Sequence, residues 1–125
     1  MGLIARRART GDDDMNASTD RDFPAIGKAM RVQFGETVFR LNFRDPTTMS
    51  FVGLAGPFKG VSDTVQYTAV KIRDGVYMVY WHEPGTGANV VHLEDFERGV
   101  VFTNIAQPDG SFLNMQGTLV LEQVA

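Results

Sequence analysis

The sequence predicts an all-β protein: an eight-stranded antiparallel up-and-down barrel preceded by a polar N-terminal tail. Eight short apolar segments lie between Lys28 and Glu122, and most of them alternate apolar and polar residues with a period of two. Turn sequences rich in Gly, Pro, Asp and Asn separate them at regular spacing. No stretch of useful length repeats its apolar residues at the helical period. A meander of this kind removes its exposed edges by closing on itself. Eight strands enclose an interior that either fills with side chains or holds one small ligand.

The elements follow in order. Residues 1–22 carry Arg6, Arg7 and Arg9, then Asp12, Asp13 and Asp14, with almost no large apolar group. Such a segment buries too little surface to offset the entropy of ordering it, so it is expected to be a flexible tail, with a partner-binding arm as the alternative. Residues 23–125 are expected to form the barrel domain. Phe23-Pro24-Ala25-Ile26 is expected to make a short plug or helical turn at the barrel entrance. Met30, Val32 and Phe34 form one alternating strand, and Phe39, Leu41 and Phe43 the next. A turn at Gly35-Glu36 pairs Val32 with Phe39 and Met30 with Leu41, which puts both apolar sets on one face. Arg44-Asp45-Pro46-Thr47 breaks the run, and Met49 and Phe51 continue the face in a third strand.

Leu54 to Asp63 is the longest connection. Phe58 is expected to be exposed there between Gly56-Pro57 and Gly60, in a loop that serves either as an entrance flap or as plain surface. Val65 to Ile72 is the fourth strand, and Asp74-Gly75 turns it back, because Gly supplies positive φ without steric cost. Val76 to Glu83, Asn89 to Phe96, Val100 to Ala106 and Ser111 to Glu122 complete the set. Turns at Pro84–Gly87, Glu97-Arg98-Gly99 and Gln107–Gly110 join them.

Composition narrows the function. The chain has 125 residues, 43% hydrophobic and 22% charged, which is the profile of one globular domain. The net charge of -3, with Lys and Arg scattered along the chain, argues against nucleic acid. The absence of cysteine removes disulfides, thiolate nucleophiles and Cys-ligated metals. No apolar run is long enough to span a membrane, and the arginines lead into aspartates rather than a signal-type apolar stretch, so a cytoplasmic location is expected.

The segment KIRDGVYMVYW, continued by HEPGTGANVVHLEDFERGVV, resembles the central part of the MoaF-like family. IGKAMRVQFGETVFRLNF resembles that family's opening hairpin. The recognisable marks are Gly75, Val76, Tyr77 and Trp81. The sequence departs from the family's pattern at Lys71 and Tyr80, near which acidic residues are expected. The resemblance implies a calycin, or lipocalin-like, barrel. It also implies a link to molybdenum-cofactor or secondary-metabolite biosynthesis.

Two-residue turns at Asp74-Gly75 and Arg98-Gly99, with an even-length turn at Pro84–Gly87, place Thr68, Val70, Ile72, Tyr77, Val79, Trp81, Val90, His92, Glu94, Phe96, Val101, Thr103 and Ile105 on one face. Tyr67, Lys71, Met78, Tyr80, His82, Asn89, Leu93, Asp95 and Asn104 take the other. The first set is more apolar and is expected inside, although one slipped residue in any turn exchanges the faces beyond it. His92 and Glu94 then point into an apolar tube, with Tyr77 opposite Glu94 and Val79 opposite His92. Burial raises a Glu pKa and lowers a His pKa, so Glu94, His92 and Tyr77 form a candidate acid–base set. The competing reading is a hydrogen-bonded pair that only satisfies buried polar groups. Trp81, Tyr77, Val79, Phe39, Phe51 and Thr103 are the expected ligand contacts. Tyr80 with Tyr67 is the candidate aromatic patch for a homodimer. No metal is expected, because His82 and His92 fall on opposite faces and no further ligand set is spaced correctly; no cofactor is implied.

Three functions are therefore in competition. One is binding of a small apolar or aromatic molecule. The second is an isomerase, cyclase or decarboxylase using the interior Glu/His/Tyr set. The third is a fully packed structural or interaction module. An interior cavity separates the third from the first two.

Overall fold

The computed structural model describes residues 16–123. Most of the expected polar tail, residues 1–15, lies outside the described residues. The strands are β1 (Ala29–Phe34), β2 (Thr37–Phe43), β3 (Thr48–Ala55), β4 (Ser62–Arg73), β5 (Val76–His82), β6 (Asn89–Asp95), β7 (Val100–Ala106) and β8 (Phe112–Glu122). Each pairs antiparallel with the next, and β8 pairs with β1, so the sheet is a closed eight-stranded barrel. No helix among the described residues is long and apolar enough to cross a membrane.

The first hairpin has the predicted register: Val32 faces Phe39 and Met30 faces Leu41 across a two-residue turn. Gly35 takes φ 62° there. On β6 and β7 the predicted face is also the buried one, with His92, Glu94, Val101 and Thr103 all inside. The loops before and after β6 are longer than expected, since His82 pairs with Asn89 and Asp95 with Val100. Both still contain an even number of residues, so the parity of the faces survives.

One prediction is corrected. In β4 the buried residues are Val65, Tyr67 and Ala69, while Ile72 is 56% exposed and Thr68 and Val70 are only half-buried. The cause is a bulge: Lys71 pairs with Tyr77 but Arg73 pairs with Val76, which leaves Ile72 with no partner opposite. The extra residue inverts every β4 side chain relative to a clean hairpin. Tyr67 is consequently inside, and the proposed outer patch of Tyr80 with Tyr67 does not exist.

Aromatic packing closes one end of the barrel. Phe23 is 2% exposed and enters as a plug, but at the end away from the cavity rather than at the entrance. Its ring lies 5.2 Å from Phe43, 5.3 Å from Tyr77, 5.8 Å from Phe96 and 6.0 Å from Tyr67, mostly edge to face. Residues just before it hold it in place. Asp20 N–H donates to the Ala69 carbonyl, Thr19 Oγ1 accepts from Ala69 N–H, and Asp20 Oδ2 accepts from Lys71 N–H. The Tyr77 hydroxyl donates to the Asp22 carbonyl at 3.0 Å. The segment from Thr19 to Asp22, expected as the end of the tail, is thus bonded along the exposed ladder of the bulged strand.

Two glycines permit close backbone approach. A Cβ at Gly53 would meet the Phe58 carbonyl, because the loop after β3 folds back over that strand. A Cβ at Gly117 would meet the Gln33 carbonyl at the β1–β8 seam that completes the barrel.

Candidate functional site

The opposite end of the barrel is open. There the inward residues of β1 to β3 and β5 to β8 leave a cavity of about 80 Å³. Its walls are largely apolar: Phe39, Leu41 and Phe51 on one side, Trp81, Val90 and Ile105 on the other. Phe58 reaches over the mouth and packs against Phe39, with ring centres 5.8 Å apart. The sequence predicted an exposed Phe58; it is half-buried, because a phenyl ring beside an apolar opening gains more by covering it than by facing water.

Polar groups occupy two levels. At the rim, Glu83 accepts a hydrogen bond from the Trp81 indole N–H at 2.9 Å and another from the Thr86 hydroxyl at 2.9 Å. These bonds fix the Trp81 ring as a wall. At the floor are His92 and Thr103, which face each other across β6 and β7. The His92 ring meets Trp81 edge to face at 4.8 Å.

Below the floor lies Glu94. Alternation along β6 sends both His92 and Glu94 inward, and His92 Nδ1 is 2.9 Å from Glu94 Oε2. Glu94 is fully buried, and Oε1, its other oxygen, has no hydrogen-bond partner among the described residues. Burial raises its pKa above the ordinary carboxylate value, and the bond to His92 offsets this only in part. Two phenols share this layer, but both hydroxyls are engaged elsewhere: Tyr77 on the Asp22 carbonyl and Tyr67 on the Asp45 carbonyl. Both have raised pKa values, chiefly through burial, so both are neutral phenols near neutral pH. That arrangement explains why Glu94 Oε1 is left alone.

The predicted residues therefore separate. Trp81, Phe39, Phe51, Thr103 and His92 converge on the cavity wall. Tyr77, Val79 and Glu94 are buried inside but do not line the cavity, and Tyr77 belongs to the closed end. His92 and Glu94 are paired directly, whereas Tyr77 takes no part in that pair. His82 is exposed and bonded to Asn89 at 2.8 Å, on the outer face. Among the described residues no group of three or more His, Asp or Glu could hold a metal ion.

Residues 26–120, from just before β1 well into β8, match the family described as MoaF-like. The chain belongs to the MoaF-like family. Among solved structures it is similar to a protein from Burkholderia vietnamiensis described as a "putative beta-lactamase", with a TM-score of 0.75 and 26% identity. That alignment covers 79% of this chain and 96% of the other. No curated protein matches.

Sequence reasoning missed part of this MoaF-like site. Glu83 was expected at the end of the fifth strand and weighed only as a metal ligand beside His82, and Thr86 was expected in the turn; neither was expected at the site. A signal existed for Glu83: it lies two residues after Trp81, hence on the same side of an extended chain. Phe34 and Met115 also line the cavity. The inward direction of Phe34 followed from alternation along β1, but its height in the barrel did not.

Proposed function

We propose that this protein binds one small, planar, largely apolar molecule through the open end of its barrel. The supporting observation is the unfilled apolar cavity, with aromatic walls and hydrogen-bonding groups only at its floor and rim, the usual make-up of a small-molecule site. The volume constrains the ligand. About 80 Å³ is the share of two or three liquid waters at ~30 Å³ each, and less than the ~150 Å³ that houses benzene in an engineered apolar cavity. A bound ring therefore displaces Phe58 outward, or leaves part of the ligand in the mouth. The MoaF-like membership supports a place in cofactor or secondary-metabolite biosynthesis. Trp81 is the sole tryptophan, so its emission reports on the wall. Saturable quenching or a spectral shift with one member of a panel of aromatic acids, amides and heterocycles is expected. An unchanged spectrum across the panel, together with no retained small molecule in native mass spectra of protein from its own host, would exclude the binding reading.

A second reading has one observation in its favour. Thr103, His92 and Glu94 stand in the order hydroxyl, imidazole, carboxyl, as an acyl-transfer enzyme requires, and the Burkholderia protein is described as a "putative beta-lactamase". No hydrogen bond joins Thr103 to His92 among the described residues, which favours binding over hydrolysis. Turnover of a chromogenic β-lactam that is lost in Thr103→Val would reverse that preference.

A further inference from the structure

Resting on the binding reading, one more property follows from the groups beneath the cavity. We propose that the cavity receives the anionic end of a planar carboxylic acid at His92 Nε2, and that the protein takes up a proton from solvent as the anion enters.

The argument begins with charge. Burying a carboxylate in an apolar tube is prohibitively costly unless a positive partner meets it. Among the described residues no Lys or Arg lines the cavity. Of the described residues on its wall, only the His92 side chain can become cationic. Nδ1 of its ring is committed to Glu94, so only Nε2 is left to face a ligand. The position of the shared proton does not alter this. With one proton between them beyond the Nε2–H, the pair is either carboxylic acid with neutral imidazole or carboxylate with imidazolium. Both forms present Nε2–H as a donor, and both carry no net charge.

An arriving anion makes the site net negative. In a fully buried pair whose Glu94 Oε1 has no donor, that charge has nowhere to spread. Uptake of one proton gives imidazolium bonded to the ligand carboxylate, beside a neutral Glu94 carboxyl. The balance is simple: ligand anion plus neutral pair plus a solvent proton yields a neutral complex, with no covalent bond made or broken. The other titratable groups facing this layer cannot substitute. Tyr77 from β5 and Tyr67 from β4 are neutral phenols that already donate to backbone carbonyls. Glu83 at the rim is bonded to Trp81 and Thr86, and a carboxylate in the mouth would face its negative charge. Repulsion at the rim and a donor at the floor orient the acid group inward.

The test uses benzoate and its neutral isostere benzamide, titrated into the full-length protein by calorimetry in two buffers of different ionisation enthalpy. Benzoate is expected to bind with uptake of about one proton, and its affinity to fall as pH rises, by up to about tenfold per pH unit. Benzamide is expected to bind with no proton uptake and no pH dependence. In His92→Gln, which can donate a hydrogen bond but cannot become cationic, benzoate should lose its pH slope and its proton uptake, and should lose more affinity than benzamide does. Benzoate binding without proton uptake to wild-type protein overturns the inference but leaves the binding reading intact. Failure of both probes to bind overturns the inference, and the binding reading falls with it only if the wider ligand panel and the native mass spectra are also negative.

Discussion

The two ends of this barrel are built from the same materials and finished differently. At the closed end, Phe23 inserts among Phe43, Tyr67, Tyr77 and Phe96, and the tyrosine hydroxyls are spent on backbone carbonyls. At the open end, Phe39, Phe51 and Trp81 surround space, and the polar groups at the floor and rim sit where a ligand can reach them. Aromatic residues fill one end and line the other. The difference lies in whether the chain supplies its own occupant. The segment leading to Phe23 is tied to β4 by hydrogen bonds and plugs its end, whereas Phe58 only leans across the other mouth from a loop.

The largest effect that would break this contrast concerns the plug. Phe23→Ala should cost about 3–5 kcal/mol, because a fully buried phenyl with four aromatic neighbours leaves a cavity that cannot collapse. Urea denaturation measures it, and a loss under about 1 kcal/mol would mean that the closed end is not packed as described.

Glu94→Gln comes next and acts on the floor between the two ends. In the folded protein the Glu94 pKa is raised above its ordinary value of 4.5. The folded state then binds more protons than the unfolded state from about pH 4.5 upward. Wild-type stability should therefore fall as pH rises from there through the folded-state pKa, with a slope of at most about 1.4 kcal/mol per pH unit. The Gln variant should show a flatter profile over the same window. Equal profiles in the two proteins would show that Glu94 does not carry this linkage.

A smaller change sharpens the contrast between hydroxyls. Tyr77→Phe removes one partly buried bond to the Asp22 carbonyl and should cost about 1 kcal/mol, with no effect on ligand affinity. An equal or larger effect on ligand affinity would move Tyr77 back into the site. The smallest effect on stability belongs to Phe58→Ala, at no more than about 1 kcal/mol, since the ring is only half-buried. Stopped-flow Trp81 fluorescence should nonetheless show faster ligand entry. Unchanged entry would remove Phe58 as a cover.

Much of the barrel was legible because alternation and turn chemistry agree in most hairpins. The Gly35-Glu36 register and the inward direction of His92 and Glu94 follow from local sequence, whereas the end that Phe23 plugs does not. The β4 face was not legible. Asp74-Gly75 turns the chain whether or not the strand before it carries an extra residue, and only the three-dimensional pairing shows Ile72 bulging out. For the site, direction was readable and depth was not. Tyr77, Val79 and Glu94 share an inner face with Trp81 and His92, yet they lie below the cavity. Height in a barrel depends on strand stagger around the closed sheet, which one strand's alternation does not encode. The rim was missed for a related reason: the network is centred on the Glu83 carboxylate, and although Glu83 lies two residues after Trp81, its bond from Thr86 depends on how the turn folds back.

Xenon tests the contrast between the two ends most directly, because it enters apolar space irrespective of ligand chemistry. In crystals equilibrated under xenon, density is expected between Phe39, Phe51 and Trp81, with none among Phe23, Phe43 and Tyr67. Xenon at the plugged end, or none at the open one, would contradict the account.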